Sequence, residues 1–132
     1  MNYKPLRTWP FAFGLGAVAA LAAVPALAQN DEFWQMERRS VQVEINRTVE
    51  RVEDLHAQLR SVPDNATGCR LTRSLRSSLT DLQVHSEKMA NINARLGNDE
   101  GHRAAVDLHN AALEERKRLE NGVLVQCANL GL

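Results

Sequence analysis

Two cysteines, four histidines and a short arginine strip are the residues of this 132-residue chain whose types and spacing could do chemistry. Cys69 and Cys127 lie 58 positions apart, so they form no Cys-x-x-Cys metal or redox motif, and in an oxidising compartment a thiol pair of this kind is a disulfide. His85 and His109 with Glu44 offer two imidazoles and a carboxylate, a set suited to zinc or copper, although no His-x-x-x-His or Glu-x-x-His spacing supports it. Met36, Met89 and His102 are softer ligands that would suit copper(I), while methionine is also a common core filler.

Arg70, Arg73 and Arg76 recur every three residues and could receive an anionic partner such as lipid headgroups or a phosphate. The bland expectation is that they face Glu53, Asp54, Glu115 and Glu120 of neighbouring helices. The run Glu114-Glu115-Arg116-Lys117-Arg118 reads as a solvated helix face. Phe33-Trp34 either closes one end of a core or docks on a partner. There is no Ser/His/Asp arrangement with glycine-rich turns, no haem-attachment motif, no nucleophile motif and no phosphate loop. A helical mutase would need Arg47, Arg51 and Arg76 turned inward, whereas charged residues on such helices face water. No enzyme activity and no cofactor are expected.

The compartment follows from the first 28 residues. Lys4 and Arg7 precede an apolar run from Phe11, Pro25 breaks it, and Ala26-Leu27-Ala28 forms a small-residue cleavage site. This pattern predicts a signal peptide over 1–28 and a periplasmic or secreted protein. An uncleaved anchor from Phe11 to Ala28 is the alternative, since that span is near the minimum for crossing a bilayer. Without a cysteine near the cleavage point, a lipoprotein is not indicated.

Residues 29–132 then form one domain. Of 16 basic and 16 acidic residues, only Lys4 and Arg7 fall in the first 28, which leaves 14 against 16 and no generic affinity for nucleic acid. Tyr3, Trp9, Phe11 and Phe13 also precede the site, so Phe33 and Trp34 are the only aromatics of the domain. Its core must be built from Leu, Val, Ile, Met and Ala, as in helical bundles.

Apolar residues at Trp34, Val41, Ile45, Val52, Leu55, Leu59 and Val62 give a heptad-like stripe, interrupted at Arg38 and Thr48, and predict a helix over 31–61 stopped by Pro63. A stripe from Leu71 to Leu96 predicts a second over 68–96, closed by Gly97-Asn98. A third, over 99–129, uses Ala105, Leu108, Ala112, Leu119, Val123 and Cys127. Asn121-Gly122 could end it early and leave an extended tail. Three such stripes bury only against one another, which predicts an all-α antiparallel three-helix bundle. If helices two and three fold back at residues 97–98, Cys69 comes level with Cys127 and His85 with His109, and the first turn brings Glu44 to a similar height.

Leu79-Thr80-Asp81-Leu82-Gln83 is similar to the Leu-Thr-x-x-Gln pattern of periplasmic stress chaperones and metal-resistance sensors of the Spy and CpxP type. Those proteins are also small, exported and helical. Their motif repeats and opens a helix, whereas here it occurs once, in mid-helix, so no membership is assigned on it. The expected role is an exported binding, adaptor or chaperone-like factor. It would act on another exported or envelope protein, touch membrane only through an uncleaved signal, and could form a homodimer through its heptads. The alternative role is metal binding or sensing through His85 and His109.

Overall fold

The computed structural model describes residues 29–132, so the signal peptide expected over 1–28 lies outside the described residues. The fold is an all-α bundle of three long helices with a short fourth: α1 (Gln29–Leu59), α2 (Asn65–Arg95), α3 (Asp99–Asn121) and α4 (Val123–Asn129). Among the described residues there is no strand. The middle helix, α2, packs along both α1 and α3, and α4 rests on α2 and α3. Accordingly α2 buries fourteen residues where α3 buries six.

The stripes form the core as expected. Val41, Ile45, Val49, Val52, Leu55 and Leu59 of α1 meet Leu71, Leu75, Leu79, Leu82, Met89, Ile92 and Leu96 of α2 and its flank, with Leu108 and Leu119 of α3 behind them. Ala105 and Ala112 keep α3 thin on that side, which lets it lie close to α2. Both interruptions of the α1 stripe are buried. Thr48 turns its hydroxyl back to the Glu44 carbonyl at 2.8 Å, and Arg38 lies along the core with one guanidinium nitrogen, Nη1, buried and without a hydrogen bond. Burial, with Arg39 adding repulsion, lowers the pKa of Arg38.

Helix boundaries depart from expectation where caps and glycine act. α2 starts three residues early because the Asp64 carboxylate accepts from the Thr67 amide at 2.7 Å, which satisfies one free N–H of the first turn and brings Asn65–Thr67 into the helix. That bond holds the Asp64 pKa below its ordinary 3.8. A carboxylate with a depressed folded pKa contributes stability above its unfolded value and loses it as pH falls through the folded one. In Asp64→Asn the amide oxygen can still cap but carries no charge, so its melting temperature is expected to lie slightly below the wild type at neutral pH and to converge on it below pH 3.8, where the wild-type carboxyl is itself protonated, in melts followed by circular dichroism.

Helix three does not run unbroken to 129, nor does it end in an extended tail. It stops at Asn121, and the chain turns at Gly122 (φ −118°, ψ −96°) and resumes as α4. A Cβ at Gly122 would stand 2.9 Å from the Arg118 carbonyl oxygen, so the bend needs a residue without one. It redirects α4 so that Cys127 meets Cys69 near the start of α2, with Cα atoms 5.8 Å apart in a disulfide buried on both sides.

The turn between α2 and α3 is built from amides. Gly97 takes φ +69°, Asn98 caps α3 by accepting from the Gly101 amide at 3.0 Å, and its Nδ2 lies 3.3 Å from Asn93 Oδ1. Gly101 is where those side chains stack, and a Cβ there would come within 2.6 Å of Asn98 Nδ2 and 3.0 Å of Asn93. Gly101→Ala is therefore expected to lose about 1–3 kcal/mol in urea unfolding, the usual range for overpacking, despite alanine's higher helix propensity.

Candidate functional site

Along α1, Trp34, Val41 and Ile45 point into the bundle, and the helical repeat carries Phe33, Met36 and Val43 round to the outside. Trp34 is half-buried against the core, and the Arg95 guanidinium of α2 sits over its ring at 4.7 Å from the centroid. Phe33 meets Trp34 edge-to-face at 5.0 Å while remaining exposed itself. The aromatic pair thus divides: Trp34 closes the bundle end and Phe33 faces solvent. Met36 is 67 % exposed, and Val43, seven positions on, shares its face two turns away. Together these three side chains put apolar surface on the solvent side of α1 at the three- and seven-residue spacings of a coiled-coil seam, with the exposed Ser40 at the place between Met36 and Val43.

The candidate metal ligands are not assembled. His109 donates Nδ1–H to the Gln83 carbonyl of α2 at 3.1 Å, since that oxygen can only accept. His85, two residues beyond Gln83, is rotated by about 200° around α2, away from the edge that His109 reaches. Glu44 is taken by Arg47 at 3.2 Å on the surface of α1. Among the described residues no group of three or more His, Cys, Asp or Glu could hold a metal ion. The softer set is also dispersed: Met36 is outside, Met89 is fully buried in the core, and His102 donates to the Ala90 carbonyl at 2.9 Å. His102 and His109 therefore act alike, tying α3 to main-chain carbonyls of α2 seven residues apart.

Arg70, Arg73 and Arg76 are all exposed. Among the described residues none of them forms a salt bridge with Glu53, Asp54, Glu115 or Glu120 of the neighbouring helices. Glu120 bridges Arg116 within α3 at 3.4 Å, and Glu115 points the other way, into the bundle toward α1. Arg73 instead donates to the Leu132 main-chain oxygen. The run at 114–118 is accordingly not a wholly solvated face, because Glu115 is buried.

Its partner is His56, a residue that no sequence pattern singled out. Nε2 of His56 lies 2.6 Å from Oε1 of Glu115, with side chains 9 % and 5 % exposed. The pair spans α1 and α3, the two helices that do not pack closely along their backbones. The two atoms are in close contact rather than in an aligned hydrogen bond. The signal was present in the α3 stripe, where Glu115 occupies the heptad place between Ala112 and Leu119 that an apolar residue would fill. Comparison with protein-family models, with curated proteins and with solved structures returns no match to this chain.

Proposed function

We propose that this is an exported helical binding protein, an adaptor or chaperone-like factor, that engages another exported or envelope protein through the outer face of the first half of α1. The observation that carries the reading is the solvent-facing strip of Phe33, Met36 and Val43. A soluble helix normally places polar residues opposite its core face, and apolar side chains repeated there at heptad spacing suit a partner helix or groove. Trp34, held by the core on one side and by Arg95 on the other, gives the strip a rigid base. The export pattern of residues 1–28 supports the compartment, and the Cys69–Cys127 disulfide accords with it. Catalysis and metal binding have less support, since His102 and His109 are committed to main-chain carbonyls, His56 lies against Glu115, and no group of three or more His, Cys, Asp or Glu among the described residues could hold a metal ion.

The experiment is a comparison of folding with capture. The triple variant Phe33→Ser, Met36→Ser, Val43→Ser keeps its melting temperature, because these side chains lie outside the core, and loses at least tenfold in partner recovery after crosslinking in the producing cell. Equal recovery by wild type and variant would refute the reading.

A further inference from the structure

The end of the bundle opposite the apolar strip carries a second surface of different chemistry. From Asn65 to Thr80, α2 contains three arginines and no acidic residue, although residues 29–132 as a whole are slightly acidic. Arg70, Arg73 and Arg76 are exposed there, and among the described residues no side-chain carboxylate lies within salt-bridge distance of any of them. Beside them lies a segment without charged side chains, Gly122 to Leu132, which exposes Val125, Leu130 and Leu132. The two are joined, for Arg73 holds the Leu132 main-chain oxygen and the Cys69–Cys127 disulfide pins α4 near the start of α2. Of the acidic residues nearest in height, Glu50, Glu53 and Asp54 stand on α1, Glu120 is held by Arg116, and Asp64, which caps α2, offsets part of the charge of Arg70 alone.

We propose that this face docks on an anionic lipid surface. Arginine forks match phosphate oxygens and are weakly enough hydrated to lie at a headgroup boundary, and their aliphatic stems can rest beside the exposed leucines and valine. Val125, Leu130 and Leu132 enter the outer part of the bilayer while Arg70, Arg73 and Arg76 engage the phosphates above them, the division of labour of an interfacial anchor. An acidic protein would match the arginines but would leave the adjacent aliphatic cluster without a purpose. The contact is peripheral, since no described helix is long and apolar enough to cross a membrane.

The test uses protein recovered after export of the full chain, with vesicles of phosphatidylcholine alone and of phosphatidylcholine with phosphatidylglycerol. Wild type is expected to associate preferentially with the anionic vesicles, and the more weakly the more salt is present. Arg70→Gln with Arg73→Gln and Arg76→Gln should lower that partition by about 100-fold, on the order of fivefold per arginine. Val125→Ser with Leu130→Ser should lower it by roughly tenfold and leave the salt dependence unchanged. Melting curves of both variants confirm that each is folded. Equal partition onto the two vesicle types overturns the proposal, as does an arginine variant that binds like wild type. So does arginine-dependent binding of polyglutamate without vesicle binding, which would assign the face to an acidic chain. The apolar strip of α1 takes no part in these measurements, so their failure leaves the protein-binding role intact.

Discussion

Replacing Cys69 and Cys127 together by serine is expected to lower the melting temperature by about 20 °C. The bond closes a loop of 58 residues, for which the chain-entropy model gives roughly 4 kcal/mol, and about 4–8 °C per kcal/mol is usual for a domain of this size. Structure adds to the entropy argument. α4 is a helix of seven residues, too short to persist alone, and the disulfide is its main tie to α2. Without the bond, α4 should fray first, exposing Leu124 and the end of the core around Leu71 and Leu119. Melts of the reduced wild type and of the double variant should coincide, and electrophoresis without reductant should show a monomer with no free thiol. A double variant that melts within a few degrees of wild type would mean that the bundle holds α4 by packing alone.

The second large effect is expected at the buried pair between α1 and α3, and it should be asymmetric. His56→Leu strands the Glu115 carboxylate in a core position, which is expected to destabilise by about 3 kcal/mol or more. Glu115→Leu leaves behind an imidazole rather than a carboxylate, a group that costs less to desolvate, so its loss should be smaller, about 1–2 kcal/mol. Changing both to leucine removes the polar groups together and fills the gap between helices with apolar surface. That double variant is expected to match or exceed the wild type in stability, giving a strongly non-additive cycle in urea unfolding. Additive losses would show that the two residues act independently despite their 2.6 Å separation. If the pair sets the spacing of α1 and α3, the doubly substituted protein should also show broadened amide signals in both helices. This would mark a loss of unique packing rather than of stability.

Much of the architecture is legible in the residue pattern because leucine and valine stripes report burial directly. The cysteines were readable for a related reason: fold-back at Gly97-Asn98 fixes which residues of α2 and α3 share a height, and Cys69 and Cys127 satisfy that condition. Height is only half of a position, however. His109 reaches the Gln83 carbonyl, and the helical repeat carries His85 about 200° round α2 from Gln83, so rotation about the helix axis decides between a metal site and two separate side chains. The same ambiguity hid the His56–Glu115 pair, since charged residues are read as outward by default and only the gap in the α3 stripe argued otherwise. Short-range chemistry moved the remaining boundaries. The Asp64 cap draws three loop residues into α2, and the bend at Gly122 turns one long helix into two.

The two proposed surfaces lie at opposite ends of one rod. Arginines and aliphatic residues gather where the disulfide ties α4 to α2, and Phe33, Met36 and Val43 lie toward the other end on α1. A protein held at a membrane by the first would project the second away from it, where a partner could be met. The most direct test of the binding role is photo-crosslinking in the producing cell, with the reactive side chain placed at Met36 in one variant and at Gln58, exposed near the far end of the same helix, in another. A discrete protein adduct is expected from Met36 and none from Gln58. Equal labelling from both positions, or none from either, would contradict that role.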